Sequence, residues 1–264
     1  MRVFLLPDSF NGERQLQLQN KQYHYLIRVL RLKEGSQFVG RDASGKLWDL
    51  LLNSIDTNHH SCTISCTETT SVVQQGENAL PPQSELPEIH LYQSLLKGKK
   101  FDTLIRQTVE IGVTRIIPLQ SEYSVPDLLS KDSKKKISRW QTIRDEALQQ
   151  CGSPVRTEIA SPIPFASLQS DWGDRGLLIF LHQEELISKS LKVSIEEFAS
   201  RSEKRFPIAL VIGPEGGLSD SEIVQLKKAG FTPAFLKTNI LRAETAALYA
   251  VSCTQMVLSE IFSL

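Results

Sequence analysis

The chain is predicted to be an α/β protein in which a parallel sheet, covered by helices on both faces, follows a small β-rich unit. Three observations carry this expectation. From residue 89 onward, short apolar runs alternate with segments of helical period, and runs such as Ile208–Ile212 are apolar at every position rather than every second one. Strands of that kind are the ones buried on both faces. Before residue 74, by contrast, the β-like runs are short and broken by Gly, Asn and Ser, as in a small barrel. Between the two lie residues 74–88, polar, without periodicity and holding three prolines, which reads as a linker. The expected domains are therefore 1–73 and 89–264, joined by 74–88.

In the first unit, Val3–Leu6 predicts a strand, and Gln22–Leu32 a helix with Tyr23, Leu26, Ile27 and Leu30 at helical spacing. His24, Arg28 and Arg31 share or adjoin its polar side, and Gly35 ends it. Strands follow at Gln37–Arg41, Leu47–Leu52 and Ser61–Thr67. The basic rim formed by Arg28, Arg31 and Lys33 fits an RNA-docking surface and an ordinary solvated helix face equally well.

In the second unit, strands are expected at Ile89–Leu95, Arg115–Leu119, Leu177–Leu181, Ile208–Ile212 and Pro233–Leu236. Helices are expected at Phe101–Ile111, Lys131–Cys151, Val193–Ser202, Ser219–Ala229 and Glu244–Phe262. The first of these turns Phe101, Leu104, Ile105, Thr108 and Val109 inward. Ser219 and Glu222 have capping-box spacing, and Gly230 stands where a left-handed C-terminal cap is wanted. The start of that helix is thereby set just beyond a glycine-rich turn.

Composition excludes several classes. Lys plus Arg and Asp plus Glu are 30 each in 264 residues, so no global positive field exists and anion binding must be local. No apolar run approaches the roughly 20 residues of a membrane-spanning helix, and the N-terminal apolar stretch is too short for a signal sequence; a cytosolic protein is expected. Four cysteines, at 62, 66, 151 and 253, are scattered and predict reduced thiols. His59, His60, Cys62 and Cys66 cluster, but both cysteines lie in a predicted strand and the paired ligand hairpins of a zinc site are absent. No metal is expected.

Two pieces suggest chemistry. Gly213-Pro214-Glu215-Gly216-Gly217 closes an apolar strand and leads to a helix, the place where open parallel sheets bind ligands. It lacks the Lys and hydroxyl of a phosphate loop and the spacing of a dinucleotide fingerprint. Pro214 stiffens the turn, while Gly216 and Gly217 let backbone approach a ligand closely. Further on, Arg242 and Glu244 immediately precede a long apolar helix. Glu244 suits a helix amino end, whereas Arg242 at that junction suits a phosphate or a developing negative charge.

Ile212 through Ile223, followed by Ile240 through Ala246, closely resembles the signature of the RsmE family, the 16S ribosomal RNA uridine-N3 methyltransferases of the SPOUT class. The resemblance extends over nearly the whole chain. His24 through Arg31, Lys97 with Asp102, Glu110 through Val113, and Arg139, Trp140, Glu146, Ala147 and Gln150 match further family segments. It implies a PUA-like RNA-binding barrel, a SPOUT domain whose chain forms a C-terminal trefoil knot, and a homodimer acting on 16S rRNA of the small subunit. It also implies S-adenosylmethionine as cofactor, held by Leu181 and His182, by Gly213, Pro214, Glu215, Gly216 and Gly217, and by Leu236, Ile240, Leu241, Arg242, Glu244, Thr245 and Ala246.

Uridine N3 carries a proton, and its loss places charge on the flanking base oxygens. Arg242 is then the candidate to stabilise that charge, with Glu244 or Glu215 as proton acceptor or orienting group. Because N3 lies on the pairing edge, the base must be unpaired or flipped. Candidate RNA contacts are His24, Arg28, Arg31, Lys97, Lys99, Lys100 and Arg139, with Lys131, Lys134, Lys135, Lys136 and Arg144 in the same basic run. Lys237, Asn239, Tyr123 and Ser153 depart from the family pattern, where glycine stands at the first position and arginine at the other three. Two rival readings are a ribose 2'-O-methyltransferase of the same class and a non-catalytic RNA-binding or assembly factor.

Overall fold

The computed structural model describes residues 3–69, 88–125, 133–173, 175–182, 189–202 and 205–262. The expected linker, apart from Glu88, and Lys131 at the expected start of the long helix lie outside these residues. The chain divides into two compact units, Met1–Leu80 with Leu148–Pro154, and Pro81–Ala147 with Val155–Leu264.

The first unit is a five-stranded sheet in the order β1-β3-β4-β5-β2, where β1 is Phe4–Leu5, β2 Gln15–Gln19, β3 Gln37–Arg41, β4 Leu47–Asp56 and β5 Ser61–Glu68. β1 pairs in parallel with β3 and the other pairings are antiparallel. Alternation sends Cys62, Ile64 and Cys66 of β5 into a core with Phe4, Leu18, Leu26, Trp48, Leu50 and Leu52. Burial pushes the Cys66 thiol up to about 11, with the Glu13 carboxylate adding to it. His59 is exposed and its ring nitrogen lies 2.7 Å from Asp56. Among the described residues no three metal-ligating side chains converge. β2 was not expected: Leu16 and Leu18 alternate with glutamines, a period of two without the β-branched or aromatic residues that usually mark a strand.

The expected helix at Gln22–Leu32 is shorter and wider. α1 spans Asn20–Tyr23 and continues as a π-helical stretch over His24–Val29. The Leu30 N–H donates to the Tyr25 carbonyl five residues back, at 2.9 Å. Arg31, at φ 54°, then ends it well before Gly35. Tyr23 and Leu26 are buried, as the spacing predicts, and His24, Arg28 and Arg31 are exposed.

The second unit is the expected parallel α/β layer. Its strands are β6 Ile89–Ser94, β7 Arg115–Gln120, β8 Glu158–Ile159, β9 Ile163–Pro164, β10 Leu177–Leu181, β11 Lys189–Ser190, β12 Ile208–Ile212 and β13 Thr232–Phe235. They run in the order β11-β13-β10-β12-β6-β7-β8, with β9 also on β7, and every pairing is parallel. Every residue of β6 and β12 is buried, which is why β12 reads as a continuous apolar run. Pro118, with no N–H to donate, falls between the stretches of β7 that pair with β8 and with β9.

The helices are α2 Lys100–Glu110, α3 Ser133–Cys151, α4 Leu168–Trp172, α5 Leu191–Ala199, α6 Asp220–Lys228 and α7 Ala243–Phe262. On one face, α4 and α6 cover a core of Tyr92, Ile117, Leu119, Phe180, Val211 and Phe231. α7 crosses the other face along β6 and β12, flanked by α2 and α5. Its small residues Ala247 and Ala250 are fully buried and let helix and sheet approach closely. α7 is long and apolar enough to cross a membrane by length and composition, yet Val251, Thr254, Val257 and Leu258 are buried within this unit. The two-residue strands β8, β9 and β11 and the helix α4 were not expected; segments that short carry no readable period.

Candidate cofactor and substrate site

Because all strands of the second sheet run the same way, the loops that follow β10, β12 and β13 leave one edge of three adjacent strands. That edge holds the carboxyl ends of the strands, where parallel sheets bind ligands.

The loop after β12 is built tightly. A Cβ on Gly213 would stand 2.9 Å from the Gly217 carbonyl carbon, so only glycine fits there. The Gly217 N–H donates to the Pro214 carbonyl at 3.0 Å, and Gly217 itself has φ 76°. Beyond it the predicted capping box is complete: the Glu222 N–H donates to Ser219 Oγ at 3.3 Å, and the Ser219 N–H donates to Glu222 Oε2 at 2.9 Å. Gly230 has φ 85°, the left-handed cap expected after the helix.

From the neighbouring strand β6, fully buried Gln93 donates its Nε2 to the carbonyls of Ser94 at 3.0 Å and Gly213 at 3.2 Å. One amide thus holds the strand end of the turn. Its Oε1 is buried without a partner among the described residues. The sequence carried only a weak signal for it, since His90 and Ser94 are further polar residues of the same strand.

Glu215 reaches away from the turn to the start of α2. Its Oε1 accepts the Lys100 ammonium at 2.8 Å and the Lys97 N–H at 3.2 Å. Burial works against ionisation of Glu215, but the Lys100 hydrogen bond and the backbone N–H groups outweigh it and hold the carboxyl below its usual range. Lys100 is raised in turn, first by the Glu215 hydrogen bond, then by Glu215 and Glu244 charge, with Arg242 opposing. Glu215 is thus bonded to Lys100, while Glu244 and Arg242 act on that ammonium through their charges. Arg242 is exposed, and its carbonyl accepts the Ala246 N–H at 2.7 Å to begin α7. Glu244, in the first turn of α7, has an Oε2 that is buried and has no partner among the described residues.

The other candidates line the same edge less tightly. Leu181 and His182 are half-buried at the end of β10, and the His182 N–H donates to the Ala234 carbonyl at 3.4 Å. Leu236, Leu241 and Ala246 are half-buried; Thr245 is exposed. Residues 237–240 stand in solvent, with Ile240 83% exposed. Lys237 and Asn239 are among these exposed residues.

The basic candidates separate into engaged and open ones. Lys100 is bound by Glu215, Arg139 by Asp102, and Arg144 by Asp145 at 2.6 Å. Each of these three therefore has a carboxylate partner within the chain. Asp102 also accepts the Trp140 indole N–H at 3.2 Å, which explains the shared spacing of Asp102, Arg139 and Trp140. Lys99 lines a cleft of about 490 Å³ between α2 and α3 with Asp102, Arg106, Arg139, Thr142 and Glu146. Lys134, Lys135 and Lys136 are exposed on α3. His24, Arg28 and Arg31 belong to the first unit. Ser153 is buried, and its N–H donates to the Cys151 sulfur at 3.4 Å.

Residues 83–255 match the family model of the RNA methyltransferase domain. The chain is 34% identical over 251 residues to ribosomal RNA small subunit methyltransferase E of Synechocystis, covering 95% of this chain and 76% of that protein. It is 29% identical to the Bacillus subtilis protein of the same name, covering 88% and 86%. Among solved structures it is similar to a Legionella pneumophila methyltransferase with its cofactor S-adenosylmethionine bound, at 26% identity, a TM-score of 0.80 and 97% of both chains. The fold is also that of the Neisseria gonorrhoeae ribosomal RNA small subunit methyltransferase E bound to S-adenosylmethionine, with a TM-score of 0.79, 23% identity and coverage of 97% and 98%.

Proposed function

This chain belongs to the ribosomal RNA small subunit methyltransferase E family, and on that premise we propose that it transfers a methyl group from S-adenosylmethionine to N3 of a uridine in 16S rRNA. The observation that supports the site assignment is the ion pair of Glu215, from the Gly213–Gly217 turn, with Lys100, an ammonium that also feels the charges of Glu244 and Arg242. A turn that admits no side chain at Gly213, and a buried, unpartnered oxygen on Glu244, each fit a cofactor rich in hydrogen-bond donors.

When bound, S-adenosylmethionine supplies an electrophilic methyl group on a sulfonium. Leu181, His182, Gly213, Pro214, Gly216, Gly217, Leu236, Ile240, Leu241, Thr245 and Ala246 are the residues that would hold it. Arg242 donates to the uracil oxygens as N3 loses its proton, where charge develops in the transition state. Glu244 accepts that proton: one of its oxygens is already buried and unused. Glu215 is the weaker candidate, since a carboxylate held ionised by Lys100 is a poor proton acceptor. Its part is to fix the turn against α2.

The first unit serves as a PUA-like RNA-docking domain through His24, Arg28 and Arg31, with the domains at 1–73 and 89–264. The loops after β10, β12 and β13 form the trefoil knot. The enzyme acts in the cytoplasm as a homodimer, supported by an exposed stripe on α7 that includes Tyr249 and Met256, 43% and 61% exposed.

Nucleoside mass spectrometry of ribosomal RNA from a deletion strain tests the activity. Loss of 3-methyluridine, restored by the gene, is expected; its persistence would overturn the assignment, and loss of a ribose-methylated nucleoside instead would establish the 2'-O reading.

A further inference from the structure

Resting on the methyltransferase reading, we infer that Tyr123 is a stacking platform for an RNA base at the target site. Four observations lead to it. Tyr123 follows β7, which lies beyond β6 in the order β10-β12-β6-β7. The loops assigned to the cofactor follow β10, β12 and β13. Tyr123 therefore reaches the Gly213–Gly217 turn from the opposite flank, the side left for the substrate.

Its side chain lies against that turn. A Cβ on Gly216 would stand 3.2 Å from Tyr123 Cβ and 3.6 Å from Cγ, so the absence of a side chain at 216 is what seats the ring.

Tyr123 is nevertheless 49% exposed as a residue, and Val125, two positions on, is 65% exposed. A tyrosine serving only as packing would bury both faces and not stand beside a second open apolar residue at a polar site.

The backbone that carries it is fixed. The Glu122 N–H donates to Glu222 Oε1 at 2.8 Å, the Ser221 hydroxyl to Glu122 at 3.1 Å, and the Ser124 N–H to the Ser121 carbonyl at 3.1 Å. Glu222, 5% exposed, uses its other oxygen in the α6 capping box. The same carboxylate thus positions the platform and the helix that follows the turn.

A base that must leave its stack to expose N3 loses stacking energy, and an aromatic face returns part of it without demanding a particular base. An arginine at this position would offer charge to phosphate; a tyrosine offers a face to the base.

The test compares wild type, Tyr123→Ala, Tyr123→Phe and Tyr123→Arg on unmethylated small subunits, with S-adenosylmethionine affinity measured separately by calorimetry. Tyr123→Ala should lower kcat/KM for RNA by about tenfold or more, the scale of one lost base stack, while cofactor affinity and thermal midpoint stay unchanged. Tyr123→Phe should behave as wild type, and Tyr123→Arg should recover less. An unchanged kcat/KM in Tyr123→Ala overturns the platform, as does a loss fully matched by weaker cofactor binding. A wild type that transfers no methyl group overturns the methyltransferase reading itself, a result distinct from either.

Discussion

The Lys100 ammonium lies 2.8 Å from Glu215, so the first turn of α2 and the glycine turn after β12 are joined by one ion pair. Both side chains are partly exposed, at 38% and 25%. Such a pair adds little to global stability but fixes local geometry. Glu215→Gln and Lys100→Met should each weaken S-adenosylmethionine binding by about two- to fivefold with little change in melting temperature. The exchanged pair Lys100→Glu with Glu215→Lys should recover part of the loss, and calorimetry at low and high salt should show the difference shrinking with salt. Because Glu215 is held below the ordinary carboxylate range, the pairing should persist as pH falls through that range and fail only below it.

Arg242→Ala should lower kcat by about a hundredfold to a thousandfold, the usual loss on removing a donor aimed at developing charge. Glu244→Gln keeps the shape of the site and removes the proton acceptor, which should cost about a hundredfold to ten-thousandfold. Glu215→Gln should cost far less in kcat. Single-turnover methyl transfer to unmethylated subunits separates the three, and an equal loss for Glu215→Gln and Glu244→Gln would contradict this division of roles between the two carboxylates.

Gly213→Ala places a methyl group 2.9 Å from backbone, where no flexible side chain can yield. The turn must open, at a cost of about 1–3 kcal/mol, read by urea denaturation. Cofactor binding should fall with it.

His90 is 4% exposed and lies edge-on to Trp172 at 5.2 Å. Burial lowers its pKa to about 4, with Arg175 and Arg115 adding to the shift and Asp171 opposing it. Glu88, 3.6 Å away, is largely solvated and does not offset this. The unfolded chain binds a proton near pH 6.5 that the folded chain refuses until about pH 4. Stability contributed by neutral His90 is therefore present above the unfolded value and lost as pH falls between the two, by up to about 3 kcal/mol. His90→Gln should flatten that part of the stability curve, measured by chemical denaturation between pH 4 and 7.

The long strands and helices of the second unit were legible because burial on both faces leaves an unbroken apolar run, as in Ile208–Ile212, and because Ser219, Glu222 and Gly230 mark a helix at both ends. The nearness in charge of Glu215, Arg242 and Glu244 around Lys100 follows the pairing of motifs read from the sequence. Its means were not legible there: Gln93 and Lys100 reach the turn from β6 and α2, more than a hundred residues earlier in the chain. Local patterns carry no information on such distant hydrogen bonds. For the same reason, a basic run could not disclose that Asp102 and Asp145 already occupy Arg139 and Arg144. The π-helical stretch was hidden because His24–Val29 keeps its buried residues at ordinary helical spacing.

The pairing of β6 with β12 has a consequence for how the protein comes to exist. Gln93 meets the Ile212 carbonyl across 119 residues, and the cost of closing so long a loop is met only when both strands are present. During synthesis, β7 follows β6 and can pair with one of its edges, while the other edge stays open until β12 emerges. That open edge invites mispairing with other chains. The last elements made, β12 to α7, both complete the site and close this edge, so a chain arrested before residue 208 would be inactive and prone to aggregate.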